Sequence, residues 1–195
     1  MARIPVGRRV MMAGALGVLP LARPAAARTR YVFDQTRGQL EFMARHLGVL
    51  TSTGHFDDFS CDLLIDPDRP LTTEVEATIR TRAVSLAYPG AVDLLRSPAF
   101  FDVDQFPEAT FNGAATGEGT LSHFVLAGNL TIRGVTRPLR LEARLLDRRR
   151  DPASGKDIAA FSAAGDMKRS EFGMTAEQAA ISDTIRLAVR VSLVI

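Results

Sequence analysis

Apolar and polar positions alternate with a period of two along much of the chain. Val75, Ala77 and Ile79 fall on one side, while Glu74, Glu76, Thr78 and Arg80 fall on the other. Leu139, Leu141, Ala143 and Leu145 alternate with Arg140, Glu142 and Arg144. The last run is the longest: Ile185, Leu187, Val189, Val191, Leu193 and Ile195 share one face. Leu40, Phe42 and Ala44 make a shorter stretch of the same kind, and Phe124, Leu126, Leu130 and Ile132 share a face with Gly128 between them. This pattern predicts antiparallel strands with one buried face each.

Two stretches break the period. Ala91–Ser97 has helical spacing between Pro89-Gly90 and Pro98, which predicts a short helix. His46–Thr53 reads as a short helix or a turn. Asp147–Asp157, charged and carrying Pro152 and Gly155, reads as an exposed hairpin loop. Strands with a single apolar face must close a barrel or stack two sheets to bury it. A barrel of about eight strands can also enclose one small ligand.

The first 27 residues follow a different logic. A basic start containing Arg3, Arg8 and Arg9 precedes the apolar run Val10–Leu21, and Ala25-Ala26-Ala27 follows. This order is that of a secretory signal peptide. Twelve helical residues are too short to cross a hydrocarbon core, which needs about 20. Arg8-Arg9 leaves both Sec and twin-arginine export open. The expected organisation is a signal peptide over 1–27 and one β-barrel domain over 28–195, located in the periplasm.

Composition changes the picture in two places. The formal charge of +2 owes its sign to the leader. Beyond residue 27 the balance is 20 basic against 22 acidic residues, so the chain as a whole has no electrostatic reason to seek nucleic acid or anionic lipid. The 195 residues are 46% hydrophobic and 24% charged, as in a globular domain with no stable membrane span.

Candidate chemistry is sparse. The only soft-metal ligands are His46, His55, His123 and Cys61, at spacings that match no zinc site. A lone cysteine excludes an intrachain disulfide. No nucleophile elbow or phosphate loop is present. Eleven phenylalanines and two tyrosines occur without tryptophan. Phe100, Phe101, Phe106 and Phe111 lie close together, and such rings serve equally as core filling or as the lining of an apolar tunnel.

Four motifs carry a family resemblance. Phe42-Met43-Ala44-Arg45-His46-Leu47-Gly48 precedes Gly54-His55-Phe56-Asp57-Asp58-Phe59; Leu95–Val103 precedes Phe106-Pro107 and Ala109-Thr110-Phe111. Then come Gly128–Pro138 and Arg169–Met174 with Ser182-Asp183-Thr184. In this order they resemble the YceI-like family from about Tyr31 to Ile195. The resemblance implies an extended, lipocalin-like antiparallel β-barrel of about eight strands with a helix. It implies a periplasmic binding protein whose interior holds a polyisoprenoid chain, such as an isoprenoid quinone or prenol, with no cofactor and no catalytic residues. Within that frame Gly134 suits a left-handed turn, and Gly173 is expected at a bulge in the barrel wall.

On the alternation, the expected lining is Phe42, Ala77, Ile79, Phe111, Phe124, Leu126, Leu141, Leu187 and Val189. Leu94, Phe100, Phe101 and Phe106 would close one end. A one-residue slip in register would reverse a whole strand's assignment. Two other classes stay open: a stress or interaction module whose barrel is filled by side chains, and an enzyme on a hydrophobic substrate using His46 or His123 as base. The sequence leaves both monomer and homodimer open.

Overall fold

The computed structural model describes residues 29–33, 38–65, 70–120 and 122–194. The expected leader over 1–27 and its cleavage site lie outside them. Eleven strands form one antiparallel sheet: β1 (Thr29–Phe33), β2 (Gln39–His46), β3 (Leu50–Phe56), β4 (Phe59–Ile65), β5 (Glu74–Arg80), β6 (Val84–Leu86), β7 (Glu108–Gly119), β8 (His123–Ile132), β9 (Val135–Arg150), β10 (Asp157–Lys168) and β11 (Thr184–Val194). One α-helix, α1 (Ala91–Arg96), stands among the described residues between β6 and β7. The sheet curls because β1 pairs with both β4 and β11, joining the order β4-β5-β7-β8-β9-β10-β11 into a ring. The other half of β11 pairs with β2, which continues into β3 and β6. All-β architecture and curled sheet follow the alternation read from the sequence.

Alternation and burial agree strand by strand. On β8, Phe124, Leu126, Leu130 and Ile132 are buried; on β9, Leu139, Leu141 and Ala143 are. Outward positions carry cross-strand ion pairs such as Arg80–Glu108 and Arg186–Asp166, the polar side of a one-faced sheet.

Three expectations change. His46–Thr53 is neither helix nor pure turn: only Leu47–Val49 turn, and β3 begins at Leu50. Leu47 (φ 48°) and Gly48 (φ 74°) both adopt left-handed backbone there, closed by Val49 N–H donating to His46 O at 3.1 Å. Asp147–Asp157 is an exposed hairpin as expected but with a shorter loop, because β9 runs to Arg150 and β10 starts at Asp157. The ribbon's β9 strand is exposed on both faces from Leu146 to Arg150, so it shows no alternation, and a register shift between Ala160 and Phe161 skips Leu146. The true loop is 151–156, with Asp151 N–H donating to Lys156 O. Gly173 is not a wall bulge. At φ 76° it caps the 3-10 turn Arg169–Phe172. Gly134 does take the expected left-handed turn, at φ 71°.

Candidate functional site: the barrel interior

The inward faces do not meet. They enclose an apolar cavity of about 270 Å³ bordered by nearly every strand, by α1 and by the 169–181 segment. On β11 the lining runs from Ile185 to Val191, a length of about 20 Å at the rise of a strand. Of the thirteen residues expected to line or close it, twelve border it: Phe42, Ala77, Ile79, Leu94, Phe100, Phe101, Phe111, Phe124, Leu126, Leu141, Leu187 and Val189. Phe106 does not. The chain turns at Asp102 (φ 50°), sending Phe101 inward while Phe106 runs beneath the β8–β9 turn. There its ring faces Gly134, and its carbonyl accepts a 2.8 Å bond from Thr81 Oγ1.

The rings of the wall are held flat. Phe42 lies opposite Gly54 on β3, and a Cβ on Gly54 would stand 2.3 Å from Phe42 Cζ. Phe111 covers Gly113 on its own strand in the same way. Glycine under an aromatic ring lets the ring lie against the backbone and leaves the lumen open. Phe42, Phe56 and Phe101 continue as a chain of rings with centroids 5.5 Å apart at each step. The phenylalanines are therefore core and lining at once. Gly54→Ala is expected to cost about 1–3 kcal/mol, as overpacking does. It should also swing Phe42 into the lumen and lower ligand load, which denaturant unfolding and extraction of bound lipid would measure together.

Alternation left several lining residues unnamed. Cys61 and Leu63 on β4 face inward beside Phe59, and Phe161, Ala163 and Met167 do so from β10. Burial pushes the Cys61 thiol up to about 12, with the Asp62 charge adding to it. Labelling of Cys61 by a thiol reagent at pH 8 should thus be slower than for an unfolded cysteine by roughly a thousandfold from thiolate fraction alone. It should accelerate sharply on denaturation. Fast labelling of folded protein would place the thiol outside the wall.

Arg169 carries no periodic signal. It is 3% exposed and borders one end of the cavity. Nε donates to Ser182 O (3.0 Å), Nη1 to Met174 O and Ala176 O (2.6 Å each), and Nη2 to Ile181 O (3.0 Å). Its guanidinium lies 5.8 Å from the Phe100 ring centroid. Next to it, Ser170 N–H and Oγ–H both donate to Asp183, at 2.9 Å each. The Ser170 amide chiefly holds the Asp183 carboxyl below the usual range, with the Arg169 charge assisting. Arg169 thus ties the 174–182 segment into the wall.

The histidines are dispersed. His46 sits at the rim of the cavity, whereas His55 and His123 are exposed on β3 and β8. Among the described residues no three His, Cys, Asp or Glu side chains gather as a metal site. No helix of the described residues is long and apolar enough to cross a membrane.

Residues 31–193 match the model of the YceI-like domain. A UPF0312 protein of Yersinia enterocolitica is 32% identical over 179 residues, spanning 90% of this chain and 92% of that protein. The crystal structure of Burkholderia cenocepacia BcnA superposes with a TM-score of 0.73 at 18% identity, covering 82% of this chain and 98% of that one. A polyisoprenoid-binding domain from Saccharophagus degradans, implicated in plant cell wall breakdown, superposes with a TM-score of 0.58 at 15% identity, covering 84% and 97%.

Proposed function

We propose, from the premise that this chain belongs to the YceI-like family, that it is a binding protein carrying a long-chain isoprenoid or similar lipid inside its barrel. The observation that carries this reading is the elongated apolar cavity, bordered by side chains such as Phe42, Phe111, Leu126 and Val189. Transfer of each CH₂ from water into such an interior is worth about 0.8 kcal/mol. A chain several units long is thereby held with no polar anchor and no chemistry. The polyisoprenoid-binding domain of similar fold supports the choice of ligand class, with an isoprenoid quinone or prenol as the specific candidates.

The carrier works in the periplasm, delivered there by the basic and apolar leader that ends at Ala25-Ala26-Ala27. Intact mass of the exported protein should place the new N-terminus within a few residues of Arg28, and an unprocessed Met1 in the envelope fraction would refute export. The test of binding is mass spectrometry of an organic extract of protein purified from its own host. A prenyl or other long-chain species at near one per barrel is expected; repeated absence would favour a barrel that carries nothing.

A further inference from the structure

Of the six large apolar side chains most exposed among the described residues, five collect at one end of the barrel; the sixth, Leu146, lies on the β9–β10 ribbon. Leu47, Val49 and Leu50 on the β2–β3 turn are 72%, 83% and 64% exposed, and Tyr88 and Leu94 around α1 are exposed as well. That end is where the cavity opens. His46 and Ser52 of the β2–β3 hairpin, Leu86, Ala91 and Leu94 of the β6–α1 segment, and Ile181 all border the lumen while staying partly exposed. Bordering residues on β8 and β9, such as Leu126, Leu141 and Ala143, are by contrast buried. The hairpin tip is joined to this rim: Leu47 N–H donates to Ala180 O at 2.9 Å, and His46 bridges to Ile181.

Nothing in the folding of the turn asks for these side chains. Leu47 occupies left-handed backbone (φ 48°), where asparagine or glycine is favoured. Its side chain then stands in solvent instead of packing. Strain and exposure together at one leucine mark a residue kept for contact with something outside the molecule. Charge narrows the choice. From Phe42 to Phe56 the hairpin contains no acid, and its one lysine or arginine, Arg45, has no ion pair among the described residues. Aliphatic side chains at a tip with an exposed arginine just behind them suit the interface of a bilayer, where apolar groups enter the acyl boundary and the arginine meets anionic headgroups.

We propose that the Leu47–Leu50 tip docks the open end of the barrel onto an anionic lipid surface, so that a chain passes between leaflet and lumen without crossing water. This rests on the carrier reading, yet it is tested apart from it. Purified protein should float with vesicles of phosphatidylethanolamine and phosphatidylglycerol, and less with phosphatidylcholine alone. Replacing Leu47, Val49 and Leu50 together by serine should lower the floated fraction by about tenfold with the circular dichroism unchanged. The chain has no tryptophan, so Val49→Trp supplies a single probe whose emission should shift to the blue on adding vesicles. Wild-type protein that stays off the vesicles, a serine variant that floats equally well, or an indole emission of Val49→Trp that does not move would each overturn the proposal. So would a dimer that the serine variant dissolves while vesicles leave the wild type untouched. Extracted lipid decides the carrier reading independently. Ligand without flotation sinks the docking alone, and flotation without ligand sinks the carrier alone.

Discussion

Ala77→Phe should leave the barrel folded and its lumen without a ligand. Ala77 lies on β5 between Cys61 of β4 and Phe111 of β7, bordering the cavity and only partly buried. Inside a closed ring that residual exposure is exposure to the void. An added ring therefore enters open space instead of displacing packed neighbours, and the usual overpacking cost of about 1–3 kcal/mol should be largely avoided. Ala163, half-buried on β10, is the matching position across the lumen. Ala143 also borders the cavity but is buried, so Ala143→Phe should strain the wall as well. The measurement is bound lipid per folded, monodisperse protein. Full occupancy in Ala77→Phe would mean that the chain lies elsewhere.

Arg169→Met should be the most destabilising single change in the molecule that creates no large cavity. It strips four backbone carbonyls, those of Met174, Ala176, Ile181 and Ser182, of their shared donor. Bonds to a charged donor contribute about 1.5–3 kcal/mol each, but relaxation and water will recover part, so a net loss of about 3–5 kcal/mol is expected. For a domain of this size that is roughly a 10 °C fall in melting temperature. Arg169→Lys should not rescue it, since one ammonium cannot match a planar fork that serves four acceptors. Urea unfolding of the three proteins decides the matter. A stable lysine variant would mean that only the charge counts.

How much of this is legible in the sequence differs by element. The faces of β5, β8, β9 and β11 follow from alternation, because one side of each meets the lumen and the other meets water. The ribbon at Arg148–Arg150 does not follow, because water lies on both its sides and no alternation is imposed. All nine expected strand positions border the cavity, since inwardness is a property of the single strand. Phe106 fails because its direction is set by a left-handed turn at Asp102, which periodicity does not register. Arg169 stands inside one of the family motifs, yet nothing in the sequence assigns it a role. Its partners are main-chain carbonyls, which any residue supplies and no sequence pattern marks.

The double use of β11 has a kinetic consequence. That strand pairs with β10 along its whole length, with β2 over Arg186–Arg190 and with β1 at Leu193 and Val194, and Leu193 is fully buried. The ring is thus sealed by contacts between opposite ends of the described chain. Contacts so distant in sequence carry a large loop-closure cost before they repay it, and topologies of this kind fold in milliseconds to seconds. Until Thr184–Val194 has emerged, β10 and β2 each lack a neighbour and the ring stays open.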